Sequence, residues 1–558
     1  MRKFSDIQTR NELADFLRIP RNKLTYLLYV VGTQNCYTTF TVPKKSGGER
    51  EICSPCEDLK GVQKRLAVAL WEHQKAIRAE KMIRPNISHA FEEKKSIITN
   101  AVIHKNKRFV LNLDLENFFA SFHFGRVEGF FEKNRDFLLP REVALTIAQI
   151  ACYEGRLPQG APSSPIITNL ICQILDMRLL KIAKRYRLDY TRYADDLTFS
   201  TNNRKFLDTY QSFLDEIFAE LKKSGFSVNS QKTRLQFRDS RQEVTGLVVN
   251  KKANVSRTYC KRTKAMAHHL YTTGNFEIDG TPATINQLEG RFSFIDQIDR
   301  YNNKFDGKKH NCNVLNGREK QYQAFLFYKY FFSNEKPIII TEGHTDPLYL
   351  KAALKCFYKE YPALIARDSD GNFDFKVTFF HRSKRWKYFF DVSLDGADTI
   401  KNLHRFFVPG QNSPNYLHDF KKLCGKEQRN PVIFLYDNET VSDRPLKKFL
   451  NYLKTPPSDK ATLKEKLHIL LVPNSKLYLL TVPLMPGEDE CEIEDLFTTE
   501  TLGTEINGKR FSPDDDCDPT QFYGKDALSK HVYANYDKVD FSGFKPLLNA
   551  LNEIVKPS

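Results

Sequence analysis

The chain has 558 residues, with 85 Lys and Arg against 68 Asp and Glu, a formal net charge of +17 and a sequence pI near 9.1. An apolar content of 41% with 13% aromatic residues excludes a disordered chain, and the length exceeds one ordinary core, so two or more domains are expected. The charged start Met1–Arg10, the lack of an apolar run of about 18 residues and eleven scattered cysteines exclude a signal peptide, a membrane span and a disulfide framework, which predicts a soluble cytoplasmic protein.

In chain order, the first segment with a readable design is Arg108-Phe-Val-Leu-Asn-Leu-Asp114-Leu115. It reads as a buried strand that ends on a carboxylate and runs into Phe118 and Phe119. Next, Tyr193-Ala194-Asp195-Asp196 lies between the apolar segments 189–192 and 197–200, which places two adjacent carboxylates at the tip of a β-hairpin. Such a pair is either an ordinary solvated turn or a cation site. Asp114 beside Asp195 and Asp196 makes three carboxylates, the hard-oxygen set with which two Mg²⁺ ions about 3.5–4 Å apart clamp an in-line displacement. Further on, Arg257 to Tyr271 and Arg291 to Tyr301 interleave basic and aromatic residues. They read as helices that track a nucleic-acid backbone, or as amphipathic helices with solvated basic faces. Residues 1–335 hold 54 basic and 36 acidic side chains, against 31 and 32 in residues 336–558, so a polyanion is drawn to the first part, with strong salt dependence.

A helical pattern from Arg318 to Phe332 stops near residues 333–337, where Pro337-Ile-Ile-Ile-Thr341 begins a buried strand, and a domain boundary is expected there. That strand ends on Glu342-Gly343, and Asp346 starts a helical run to Leu354. Pro431-Val-Ile-Phe-Leu-Tyr-Asp437-Asn-Glu439 repeats the design. Side chains from separate strand ends converge in open α/β sheets, so Glu342, Asp437 and Glu439 are candidate ligands for a divalent metal. The acidic stretch Glu488 to Asp518 is a solvated loop or an extension of that site.

With these residues in view, the first part resembles a reverse transcriptase. Leu157-Pro-Gln-Gly-Ala-Pro-Ser-Ser-Pro165 is similar to the loop that positions template and nucleotide, which implies Gln159 and Gly160 against the incoming base pair. Phe119, five residues after Asp114, stands where the family carries the ring that excludes a ribose 2′-hydroxyl, which implies dNTPs as substrates. Lys232, in Val228-Asn-Ser-Gln-Lys-Thr233, matches the lysine that approaches the leaving pyrophosphate, and Arg50, closing Pro43-Lys-Lys-Ser-Gly-Gly-Glu-Arg50, matches a fingers contact to the triphosphate. Each has a plainer reading as a solvated surface charge. Asn100-Ala-Val-Ile-His104 and Val244-Thr-Gly246 resemble marks of the retron reverse transcriptases, although His104 also reads as a satisfied helix residue. The resemblance covers about residues 20–330. It implies an α+β right-hand polymerase, with fingers, palm and thumb in 1–310 and a helical connector in 311–335. It further implies catalytic Asp114, Asp195 and Asp196 holding two Mg²⁺ ions, and a dedicated structured non-coding RNA as template. The product it implies is a branched RNA-linked single-stranded DNA (msDNA), started from the 2′-hydroxyl of an internal guanosine.

Residues 336 to about 500 resemble a TOPRIM domain of the OLD nuclease type, which implies an α/β TOPRIM domain with a C-terminal extension in 336–558. Glu342 then matches the acid/base or metal glutamate, Asp437 and Glu439 the metal pair, and Asp346 an auxiliary ligand, for Mg²⁺ or Mn²⁺. The pair reads Asp-Asn-Glu where Asp-x-Asp is commoner, and Leu394-Asp-Gly-Ala397 matches the family's second strand only in part. Glu494, Asp495 and Lys525 are candidates to extend the site. A topoisomerase would need a separate strand-passage domain and a primase would duplicate the polymerase. Metal-dependent hydrolysis of DNA or RNA is the economical reading, and the resemblance of retrons to bacterial defence systems implies a nuclease effector in anti-phage defence, toxic when the RNA–DNA product ceases to inhibit it. Host RNase H and a second copy of the chain are further candidate partners, and no membrane is expected. The alternative is a group II intron-like or diversity-generating reverse transcriptase with a non-catalytic TOPRIM docking module.

Overall fold

The computed structural model describes residues 4–44, 47–82, 87–305, 307, 312–394, 399–410, 413–513 and 517–556. Lys45 and Ser46 of the expected fingers segment, and residues 395–397 of the expected second TOPRIM strand, lie outside the described residues. The chain divides into two compact units, Met1–Ser256 and Arg257–Ser558.

The first unit is built on a four-stranded antiparallel sheet in the order Asp189–Tyr193, Asp196–Thr201, Phe109–Asp114, Arg234–Phe237. Its central strand Asp196–Thr201 buries Leu197, Phe199 and Ser200 almost completely, as expected of a strand covered on both faces. The long helices Ser164–Arg185 and Phe206–Lys223 pack against each other, and their apolar residues join the sheet in one core. A separate antiparallel hairpin, Tyr37–Pro43 with Glu49–Pro55, has mostly exposed side chains and sets Arg50 opposite Val42.

The second unit centres on a five-stranded sheet in the order Thr378–Phe379, Ile338–Thr341, Val432–Tyr436, Leu477–Thr481, His468–Leu470. The first four strands are mutually parallel and the last is antiparallel. The apolar runs read in the sequence supply both faces of this sheet, because successive side chains point to opposite sides. Ile338, Ile340, Val432 and Phe434 enter one core, while Ile339, Ile433 and Leu435 enter the other.

The first of these two cores also contains Ala267, Leu270, Leu288 and Phe292 from helices Arg257–Thr273 and Ile285–Phe305, and Phe325, Phe327 and Phe331 from the helical segment ending at Phe332. The expected thumb helices and connector therefore share a core with the C-terminal sheet. The divisions expected at 310/311 and 335/336 fall inside the second unit rather than at its edge. Among the described residues no helix is long and apolar enough to cross a membrane.

Candidate functional site

In the first unit, strand register sets Asp114 directly opposite Asp196. Tyr193 pairs with Asp196, which leaves Ala194-Asp195 as a two-residue turn. Ala194 takes φ +57°, the left-handed region that a non-glycine residue enters only when its surroundings hold it there. The Leu115 amide donates to the Asp195 carbonyl at 3.0 Å, and the Asn229 amide to the Asp114 carbonyl at 2.8 Å. Lys232 Nζ donates to both carboxylate oxygens of Asp114, at 3.0 and 3.1 Å.

Burial pushes the Asp196 carboxyl up to about 7, and the neighbouring Asp195 and Asp114 charges add to it. Asp195 is raised as well, by burial first and then by Asp114, against Lys232 and Arg50. The site thus concentrates negative charge that the protein itself neutralises only in part. As they stand, no three His, Cys, Asp or Glu side chains among the described residues are arranged to hold a metal ion.

A cavity of about 1320 Å³ opens at this point, walled by Asp114, Asp195, Arg50, Phe119, Gln159 and Lys232. Asp196 and Gly160 are not on its wall. Gly160 instead joins the loop 157–165 to the exposed hairpin: the Cys53 amide donates to the Gln159 carbonyl at 2.9 Å, and a Cβ on Gly160 would stand 2.6 Å from the Cys53 carbonyl oxygen. The wall also holds Phe91, whose ring lies 6.3 Å from that of Phe119. Phe91 sits in an irregular segment at φ +57°, with no periodic pattern around it that would single it out in the sequence.

In the second unit, Glu342 and Asp437 follow the ends of two adjacent parallel strands, and the Asp437 amide donates to Glu342 Oε2 at 3.2 Å. Asp346 folds back so that the Gly343 amide donates to its Oδ2 at 2.7 Å. A Cβ on Gly343 would stand 2.5 Å from Asp346 Oδ1, so a larger residue there would push the Asp346 carboxylate out of this arrangement. Burial pushes Glu342 up to about 7, with Glu439 and Asp346 adding to it, and raises Asp437 well above its usual range alongside Asp346, Glu342 and Glu494.

Glu439 pairs with Arg444 at 3.4 Å. Glu494 joins the cluster, with burial raising it to about 7, and Lys525 Nζ lies 3.3 Å from Glu494 and 2.6 Å from Glu492. Asp495 goes elsewhere: its Oδ2 accepts from the Glu492 amide at 2.7 Å and closes a helical cap on the exposed side. Glu492, which lies in the acidic stretch but was not singled out in the sequence, reaches the cluster because alternate residues of the Glu492-Ile-Glu494 segment face Lys525.

The reverse transcriptase (RNA-dependent DNA polymerase) family matches residues 42–257. The retron Ec86 reverse transcriptase of Escherichia coli is 33% identical over 317 residues, spanning 55% of this chain and 92% of that protein. The chain belongs to the retron reverse transcriptases. Two Myxococcus xanthus members, the retron Mx162 and Mx65 reverse transcriptases, are 32% and 35% identical over 325 and 275 residues, covering 53% and 45% of this chain and 65% and 61% of theirs. The apo telomerase of Candida Tropicalis superposes with a TM-score of 0.31 at 14% identity, covering 53% of this chain and 60% of that one, a likeness too slight to bear on the fold.

In this retron reverse transcriptase the two segments that resemble marks of the family lie side by side. The helix Ile97–Ile103 packs on the short hairpin Glu243–Val244 and Leu247–Val248, whose turn is Thr245-Gly246, both at positive φ. His104 is wholly buried, with Nδ1 2.7 Å from Ser200 Oγ and Nε2 2.7 Å from Thr191 Oγ1. Burial lowers it to about 3, with Lys107 and His89 adding to the shift. It is a neutral cross-brace between the two strands of the Asp195 hairpin, the satisfied-residue reading of the sequence.

Proposed function

We propose that this retron reverse transcriptase copies a dedicated structured non-coding RNA into msDNA, and that its C-terminal α/β domain is a TOPRIM-like, metal-dependent nuclease effector acting in anti-phage defence. The observation that carries the polymerase reading is the register pair Asp114–Asp196, with Asp195 on the adjoining turn at the wall of a cavity large enough for a nucleotide and primer end. The donor set fits Mg²⁺: it is all carboxylate oxygen, it is half-buried, and the protein offsets its charge only in part, with the Lys232 ammonium beside Asp114. Two Mg²⁺ ions on Asp114, Asp195 and Asp196 would supply Lewis-acid stabilisation of the attacking and leaving oxygens.

The protein's own groups do the rest. Arg50, on the exposed hairpin, and Lys232, beside Asp114, present cations to a triphosphate entering the cavity. The Phe119 ring, with Phe91 6.3 Å away on the same cavity wall, is the group that would bar a ribose 2′-hydroxyl. Gln159 and the hairpin are linked through backbone, so the base-pair floor and the triphosphate contact are held at a fixed spacing.

The nuclease reading is supported by Glu342, Asp346, Asp437 and Glu494 gathered from two strand ends and a later turn, with Lys525 as the cation that offsets developing phosphate charge. Lys525 suits that part, since Glu494 and Glu492 outweigh its burial and keep it protonated.

The test is to purify the full chain expressed with its flanking DNA and run the bound nucleic acid on a denaturing gel before and after RNase. A short single-stranded DNA that shifts on RNase treatment is expected, and RNA alone contradicts the msDNA reading. For the C-terminal domain, chelator-sensitive cleavage of DNA or RNA lost in Glu342→Ala and Asp437→Ala is expected. Nucleic-acid binding with no cleavage under any metal contradicts the nuclease and leaves a docking module.

A further inference from the structure

We propose that Arg192 is a positioning residue for DNA synthesis, whose guanidinium holds, through the Ala194 carbonyl, the turn that presents Asp195. Arg192 has no exposed surface, although it lies only three residues from a carboxylate on the cavity wall. A fully buried guanidinium persists only when its fork is matched on every side. Here Nε and Nη2 donate to Oδ1 and Oδ2 of Asp176, both at 2.8 Å, and Nη2 also lies 3.3 Å from Asn169 Oδ1. The remaining arm, Nη1, donates to the Ala194 carbonyl at 3.3 Å.

That last contact goes to the strained peptide itself. Ala194 is the non-glycine residue at φ +57°, and its carbonyl belongs to the peptide bond that leads into Asp195. The carbonyl on the other side of Asp195 is tied to the Leu115 amide at 3.0 Å. Both peptide planes flanking Asp195 are therefore anchored, one by the strand that carries Asp114 and one by Arg192. Two anchors fix the direction of the Asp195 side chain, where one would leave the turn free to pivot.

The partners of Arg192 tie this turn to the rest of the cavity wall. Asp176 and Asn169 lie on the helix Ser164–Arg185, which continues directly from the loop bearing Gln159 and Gly160. Asn169 accepts from Ser88 Oγ at 3.0 Å and donates to the Ala90 carbonyl at 2.9 Å, one residue before Phe91. Tyr190 donates to Asp176 Oδ1 at 3.0 Å and completes its shell. One buried polar network thus fixes Asp195 relative to both the nucleotide-positioning loop and the wall that carries Phe91.

The inference rests on Asp195 serving DNA synthesis. The test uses single-turnover dNTP addition by the full chain on a DNA primer annealed to RNA, comparing wild type, Asp195→Asn, Arg192→Lys and Arg192→Met. The amplitude counts folded, primer-bound enzyme, and the rate constant reports on that population alone. Lysine keeps a charge for Asp176 but cannot extend a second arm to the Ala194 carbonyl, whereas methionine leaves Asp176 buried without its cation. The expected result is that Arg192→Lys restores the amplitude that Arg192→Met loses, yet adds nucleotide at least fivefold more slowly than wild type, with half-saturating dNTP within threefold. A rate constant less than fivefold below wild type, or a loss confined to the amplitude, overturns the proposal. Synthesis retained by Asp195→Asn would instead overturn the reading of the site on which it rests.

Discussion

Burial and the charges of Asp195 and Asp114 push the Asp196 carboxyl up to about 7, far above its range in an unfolded chain. Without metal, the folded state therefore binds a proton that the unfolded state has already released at pH 5 to 7, so the stability tied to this group is lost as pH rises through about 7. Asp196→Asn removes the ionisation. It is expected to raise the unfolding temperature of chelator-treated protein at pH 8 by several degrees and by roughly half as much at pH 5.5, read by thermal melts at both values. Equal shifts at the two pH values, or destabilisation at pH 8, would contradict the account. The three carboxylates were legible in the sequence because a strand end and a hairpin tip are fixed by short local patterns. Arg192 was not, since the apolar setting of a strand gives no sign that one long cation is folded inward onto the helix that precedes it.

Strands and helices that run as uninterrupted apolar or periodic segments appear where the sequence puts them: Phe109–Asp114, Ile338–Thr341 and Val432–Tyr436 all end beside the predicted carboxylates. Loops carry less information. Gly160 was recognisable as part of a motif, but its physical reason, the approach of the hairpin strand Glu49–Pro55, is a contact between segments that no local pattern records. That contact makes a prediction. Gly160→Ala sets a methyl group 2.6 Å from a backbone oxygen at φ +126°, so the hairpin must move away from the loop. Primer extension is expected to fall at least about tenfold through weaker dNTP binding, since a displacement of about 1 Å in a positioning element costs up to a hundredfold. Gly61→Ala, inside the helix Glu57–Glu80 with nothing within 4 Å of its Cβ, should leave extension unchanged and stabilise the protein by about 0.5–1 kcal/mol. Unimpaired extension by Gly160→Ala would show that the hairpin is not held by this contact.

At the scale of the whole molecule, most of the excess charge resides in the unit that carries Asp114, Asp195 and Asp196: residues 1–256 hold 42 basic and 28 acidic side chains, against 43 and 40 in residues 257–558. The end of a helix and the start of a strand near residues 333–337 were plain in the sequence. Which core the aromatic face of that helix would join was not, because amphipathic periodicity identifies a buried face without naming its partner. Phe325, Phe327 and Phe331 lie against the C-terminal sheet together with Leu288 and Phe292. A fragment of residues 257–558 is accordingly expected to be monodisperse with a cooperative melt, while one of residues 336–558 exposes that aromatic surface and aggregates, as size-exclusion chromatography would reveal. A well-folded 336–558 fragment would contradict the shared core. The central claim, that Asp114, Asp195 and Asp196 carry RNA-templated DNA synthesis, is tested most directly by primer extension on an RNA template with the full chain and its Asp195→Asn/Asp196→Asn variant. Loss of synthesis by at least about a thousandfold with an intact melting transition is the predicted result, and synthesis within about tenfold of wild type by the folded double variant would contradict it.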